Sequence, residues 1–191
     1  MKIVYLIRHA ERMDFNSEGK WDHEWPARAI EMGLDPNDAP LTEQGITQAT
    51  QAAMKIRDQP IKIYTSPFAR CSQTAEILAS EMGVEMKVST DLTEWMNVDW
   101  FWSCYKHLDR IHFSGNKALF LLGNPMFPES EEAYDMRAAQ ILDALKSMNQ
   151  EEFPLVIVSH GGGIHRILNH HDSSFMEGKY VGYADVFRIE L

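Results

Sequence analysis

The stretch Ile3-Val4-Tyr5-Leu6-Ile7-Arg8-His9-Ala10-Glu11-Arg12 decides how this chain folds. Five apolar residues, Ile3 to Ile7, run into a turn that carries an imidazole and two guanidiniums. A run so short and apolar reads as a strand buried on both faces, as in a parallel sheet. The same design recurs near the far end, where Leu155-Val156-Ile157-Val158 opens into Ser159-His160-Gly161-Gly162-Gly163. Each strand delivers a histidine at its carboxyl end, the edge at which parallel α/β sheets bind ligands. Two imidazoles and several arginines converging on that edge make a site for a phosphoryl group.

The rest of the chain fits this frame. Further strands are expected at Ile61–Thr65, Val84–Val88 and Val186–Leu191. Helices are expected between them. Leu41–Arg57 has Thr42 as N-cap and carries Ile46, Ala49, Ala53 and Ile56 at helical spacing. Ser66–Met82 has Ser66 as N-cap, Pro67 at the first helical position and Gly83 beyond the end. Ser130–Met148 repeats Met136, Ala139, Ile141, Leu142 and Leu145 on one face, and Gly162–Leu168 begins just past His160. Alternating strands and helices predict a three-layer α/β/α fold with a mostly parallel central sheet.

At 191 residues the chain is expected to be a single domain, 1–191. Lys+Arg 18 against Asp+Glu 28 gives a net charge of −10, which argues against a nucleic-acid or anionic-membrane partner. An anionic substrate must then be drawn in by local positive charge. Two cysteines, Cys71 and Cys104, cannot make a disulfide framework. The start of the chain shows no signal-peptide apolar region, and no later run approaches membrane-spanning length. The expected location is cytoplasmic.

Two connections exceed the usual βα loop, Met13–Pro40 and Trp95–Glu129, and they hold all five tryptophans. Long segments without structure of their own are commonly lids over a site. The alternative is that the tryptophans cover a satellite core.

Four motifs occur in order: Arg8-His9-Ala10-Glu11-Arg12, Thr65-Ser66-Pro67-Phe68-Ala69-Arg70-Cys71, Leu92-Thr93-Glu94-Trp95 and Ser159-His160-Gly161-Gly162. Together they resemble the histidine phosphatase superfamily, the phosphoglycerate-mutase-like group of phosphatases and mutases. Asp38-Ala39-Pro40-Leu41-Thr42-Glu43-Gln44-Gly45 resembles the family's stretch before its first helix. The first and third motifs look most like the suppressor-of-T-cell-receptor-signalling, or ecdysteroid-phosphate phosphatase-like, branch. One departure is Ala10, where much of the family has glycine; that branch and other members vary at this place, so a methyl group is expected to be tolerated, at most narrowing the pocket.

The resemblance implies that His9 is the nucleophile that becomes phosphorylated. Elementary chemistry agrees, since a neutral imidazole is nucleophilic near neutral pH and a hydrogen bond on one nitrogen decides which other attacks. It further implies that Arg8, Arg70 and His160, with Arg12 as a fourth member, clamp the phosphate, and that Glu94 is the proton donor. Guanidinium forks match phosphoryl oxygens two bonds at a time. Gly161 and Gly162 allow close backbone approach at a helix N-terminus. Glu11 and Glu43 are weaker candidates for the acid. No metal and no cofactor are called for.

Two other signals fall away. Cys104-Tyr105-Lys106-His107-Leu108-Asp109-Arg110 has the Cys-x5-Arg spacing of cysteine-dependent phosphatases. It lacks the glycines and the preceding strand that such a loop needs. His107, His112, His165, His170 and His171 lack regular zinc-ligand spacing. The expected function is thus a metal-independent phosphoric monoester hydrolase working on a phosphorylated small molecule or a phosphopeptide. Its rivals are a phosphomutase on the same fold and a non-catalytic phospho-ligand-binding module. Aromatic residues of the segment Trp95–Phe120, including Trp100 and Trp102, predict a preference for aryl or hydrophobic monoesters. Neither the physiological substrate nor the oligomeric state is legible in the sequence.

Overall fold

In the computed structural model, residues 1–15, 19–97, 128–174 and 179–191 are described. Strands β1 (Ile3–Arg8), β2 (Lys62–Thr65), β3 (Glu85–Val88), β4 (Leu155–Ser159) and β5 (Val186–Glu190) form one sheet in the order β3-β2-β4-β1-β5. The pairs β3–β2, β2–β4 and β4–β1 are parallel, and only β5 runs antiparallel, against β1. The helices are α1 (Trp25–Glu31), α2 (Glu43–Ala53), α3 (Ala69–Met82), α4 (Glu131–Ser147) and α5 (Gly161–His171).

The apolar strands alternate between two cores, because successive side chains point to opposite faces. Val4, Leu6, Leu155 and Ile157 pack under α4 and α5 with Ile141, Leu145, Ile164 and Ile167. Tyr5, Ile7, Val156 and Val158 face α2 and α3 with Ala49, Ala52, Ala75 and Leu78. Burying each large aliphatic side chain contributes about 1.5–3 kcal/mol, so the two-sided burial of β1 and β4 anchors the sheet at its centre. The three layers expected from the sequence are present.

Several helix ends follow local chemistry. Thr42 caps α2 by accepting from Gly45 N at 2.9 Å, and Ser130 caps α4 by accepting from Ala133 N at 3.1 Å. Gly83 ends α3 in the left-handed region, at φ +66°. The cap expected at Ser66 does not form. Helix α3 begins two residues later, behind Phe68, and the Ser66 hydroxyl instead meets His160 Nε2 at 2.8 Å.

The phase of two helices also differs from expectation. Ile46 and Met136 are exposed, and the buried stripes run through Gly45, Ala49 and Ala52 in α2 and through Tyr134, Ala138, Ile141 and Leu145 in α4. Within 13–40, a segment expected to lack structure, lies α1. Its seven residues start at Trp25-Pro26 with no side-chain cap, so Pro26 in the first turn was the one local start signal. Trp25 is buried there with Ala29 and Ala39, which makes it scaffold rather than lid. Trp100, Trp102 and the rest of 98–127, including Cys104, His107 and His112, lie outside the described residues. Among the described residues, no helix is long and apolar enough to cross a membrane.

Candidate active site

Sheet register brings the two histidines together. Arg8 pairs with Ser159 across β1 and β4, so His9 and His160 leave adjacent central strands side by side. Their ring centroids are 5.4 Å apart. Strand β2 ends one strand further along and delivers Ser66, whose Oγ lies 2.8 Å from His160 Nε2.

His9 is buried, and its Nδ1 lies 2.8 Å from the carbonyl oxygen of Ala10. A carbonyl only accepts, so Nδ1 carries the proton and Nε2 keeps its lone pair. Burial, then the charges of Arg70, Arg12 and Arg8, hold the imidazole well below its ordinary pKa. His160 is likewise held neutral by burial and by Arg70. Its Nδ1 accepts from Arg70 Nη2 at 3.3 Å, which leaves Nε2–H to donate to Ser66. The methyl group of Ala10 belongs to the hydrophobic cluster under α2 and α3, where it is accommodated.

The arginines are held in different ways. Arg70, only 1% exposed, stacks its guanidinium over Phe68 at 4.4 Å and lies 3.9 Å from Asp38. Its Nε and Nη1 are buried without a hydrogen-bond partner. Arg8 donates through Nη1 to Tyr180 Oη and to the Val181 carbonyl, while its Nε is also buried without a partner. Three buried nitrogens whose N–H groups make no hydrogen bond are costly, and an anion that accepts from them removes that cost. Arg12 sits within electrostatic reach of His9 but grips buried Asp14 with Nε and Nη2. Its charge is thereby partly neutralised.

Glu94 faces this cluster from the connection after β3. Its Oε2 lies 3.6 Å from His160 Nδ1, and its Oε1 accepts from Tyr134 Oη and from Trp95 N, each at 3.0 Å. The first turn of α5 fits between Arg8 and Glu94. A Cβ at Gly161 would lie 3.3 Å from Arg8 Nε, and one at Gly162 would lie 3.5 Å from Glu94 Oε1. The other carboxylates are elsewhere. Glu11 accepts from the Thr42 hydroxyl at 2.8 Å and Glu43 is exposed in the first turn of α2. The Cys71 thiol is near His160, but burial pushes it up to about 12, so it stays protonated and unreactive.

Sequence reasoning missed four parts of the site. Asp38 pairs with Arg70 and accepts from Ala69 N at 2.8 Å, tying the segment before α2 to the start of α3. Tyr183 places its ring 5.7 Å from His9 and 4.2 Å from the Arg8 guanidinium carbon. It sits in the turn before β5, where Ala184 adopts φ +53° and Asp185 accepts from Gly182 N. A non-glycine residue in that region costs about 1–2 kcal/mol, strain that is tolerated where a turn must aim a side chain. The last two are Tyr134 and the Arg137–Glu129 ion pair. Arg137 reaches both carboxylate oxygens of Glu129 at 2.8 Å and the carbonyls of Asp91, Thr93 and Glu94. Only the buried stripe of α4, read from Tyr134 instead of Met136, would have pointed to Tyr134.

Known proteins resemble this chain in sequence and in fold. The family model of the histidine phosphatase superfamily (branch 1) matches residues 4–180. The protein called "Probable phosphoglycerate mutase GpmB" of Erwinia tasmaniensis is 33% identical over 165 residues, 83% of this chain and 69% of that one. The transcription factor tau 55 kDa subunit of Saccharomyces cerevisiae is 28% identical over 99 residues. That match takes in 50% of this chain and 21% of the yeast subunit, so the chain spans about a fifth of that relative. In fold, the chain is similar to the ecdysone phosphate phosphatase from Bombix mori solved with tungstate. The TM-score is 0.64 at 15% identity, over all of this chain and 90% of that one. By its sequence and its fold, the chain belongs to the histidine phosphatase superfamily.

Proposed function

We propose that this protein is a metal-independent phosphoric monoester hydrolase that works through a phosphohistidine on His9. One observation carries the proposal: the buried Nε of Arg8 and Nε and Nη1 of Arg70, none of which makes a hydrogen bond, flank two imidazoles held neutral. A phosphate dianion satisfies those donors, and the neutral His9 Nε2 is free to attack it. In the first step the Nε2 lone pair forms the N–P bond, the P–O ester bond breaks, and Glu94 gives its proton to the departing oxygen. In the second, Glu94 takes a proton from water, the water oxygen bonds to phosphorus, and the N–P bond breaks to release phosphate and neutral His9. Arg8, Arg70, His160 and the first turn of α5 at Gly161 hold the transferring group, with Arg12 adding charge from beside Asp14. Fixed cations oppose the negative charge that a metal ion would otherwise oppose.

The reading includes a preference for aryl or hydrophobic monoesters. Its support among the described residues is Tyr183 over His9, with Tyr180 on Arg8, and Phe15 on Arg12 against Trp21. Each good ring contact contributes about 0.5–1.5 kcal/mol beyond area burial, so a few give about one to two orders of magnitude in specificity constant over small sugar phosphates. A mutase is the second reading, favoured by the likeness to the Erwinia protein.

Rapid quenching during turnover of labelled ester should trap acid-labile, alkali-stable label on His9. Unimpaired turnover by His9→Ala overturns the mechanism. Phosphoglycerate supplied with and without a bisphosphorylated primer separates mutase from hydrolase, and the absence of any turnover leaves a binding module. Glu94→Gln should lower turnover of alkyl phosphates by about 10²–10⁴.

A further inference from the structure

The two oxygens of Glu94 are not equivalent. Oε1 accepts from Tyr134 Oη and from Trp95 N, each at 3.0 Å. Oε2 turns toward His160 Nδ1 at 3.6 Å. An oxygen that already accepts two hydrogen bonds is a poor place for a proton, so the acidic proton belongs on Oε2, on the side of the phosphate clamp.

Tyr134 is built to hold that orientation. Its ring stacks on Trp95 at 6.3 Å and 9°, with the guanidinium carbons of Arg137 and Arg166 each 4.7 Å from its centroid. The ring is buried, which restricts its movement away from Glu94. Burial, then the Glu94 carboxylate, raises the phenol well above its ordinary pKa, so the hydroxyl is a permanent donor. The glycines after His160 leave it room. A Cβ at Gly162 would lie 3.3 Å from Tyr134 Oη, and one at Gly163 would lie 3.0 Å from it.

We infer that Tyr134 is a positioning residue that pins Glu94 by Oε1 and thereby presents Oε2 as the proton-bearing oxygen to the leaving group. The inference rests on Glu94 being the acid. It also gives the second and third glycines of the His-Gly-Gly-Gly run a specific task, clearing the path of a phenol from α4.

The test is Tyr134→Phe, alone and combined with Glu94→Gln, in single-turnover and steady-state assays with an alkyl phosphate and p-nitrophenyl phosphate. The nitrophenolate leaves without a proton, so its first step does not need the acid. Tyr134→Phe should lower kcat for the alkyl ester about tenfold, the scale of one lost hydrogen bond, with KM unchanged. Single-turnover phosphoryl transfer from the nitrophenyl ester should change less than twofold, and the double variant should be no slower than Glu94→Gln. Gly163→Ala, which crowds the same hydroxyl, should show the same selectivity and serves if Tyr134→Phe does not fold. Equal losses on both esters, wild-type rates on the alkyl ester, or a further loss in the Glu94→Gln background would overturn the positioning role. An alkyl-ester rate unaffected by Glu94→Gln would instead refute the acid on which this inference rests.

Discussion

Replacing Arg137 by methionine should uncouple the acid loop from the scaffold that holds it. The guanidinium donates five hydrogen bonds, two to Glu129 and one each to the carbonyls of Asp91, Thr93 and Glu94. Glu129 itself is buried, accepts from Met96 N at 3.0 Å, and its carbonyl accepts from Trp95 Nε1 at 2.9 Å. Methionine fills much of the volume but leaves the Glu129 carboxylate unpaired in the interior. Breaking a buried ion pair from one side costs about 3–5 kcal/mol, well above the 0–1 kcal/mol of a surface pair. Against a typical total of about 5–15 kcal/mol, the variant should fold but with much reduced stability. Urea unfolding read by fluorescence and circular dichroism should show the midpoint falling with an unchanged slope. Glu129→Leu with Arg137→Met removes both charges and should be no less stable than Arg137→Met alone. A loss below about 1 kcal/mol, or a double variant much worse than the single, would refute the claim that the pair is a desolvated, mutually dependent unit.

Gly45→Ala should destabilise the protein by about 1–3 kcal/mol, because its Cβ would fall 2.3 Å from the backbone oxygen of Glu11 and force α2 away from the His9 turn. Thermal melts measure this, and an unchanged midpoint would mean that α2 is not packed as described. For pH, His9 and His160 have folded pKa values far below the unfolded value near 6.5, so the unfolded chain binds protons first. Their contribution is complete above about pH 6.5 and is lost as pH falls, by up to about 2.7 kcal/mol per unit for the two together. Asp91 acts oppositely: burial raises its carboxyl to about 6, so its ionisation destabilises the fold as pH rises from about 4 to about 6. Urea titrations at several pH values on the wild type, His9→Ala and Asp91→Asn separate these terms, and a wild-type slope in His9→Ala would contradict the assignment.

Much of this protein is written in local patterns. The apolar runs ending in Arg8-His9 and Ser159-His160 prescribe two central strands and the edge at which their imidazoles emerge. Thr42, Gly83 and Ser130 mark helix ends, since a cap needs only its own neighbours three or four residues away. What the sequence left open depends on partners far apart in the chain. Tyr134 meets Glu94 across 40 positions, and Ser66 meets His160 across 94. Tyr183 comes over His9 only because β5 runs antiparallel to β1, which returns the turn before Val186 to the same edge of the sheet. A hydroxyl, a carboxylate or a ring carries the same local propensity whichever of these it serves. The sequence by itself determined the groups here proposed to do the chemistry; sheet order, register and the packing of α4 against α5 decided which neighbours hold them, because those contacts exist only once distant segments share one core.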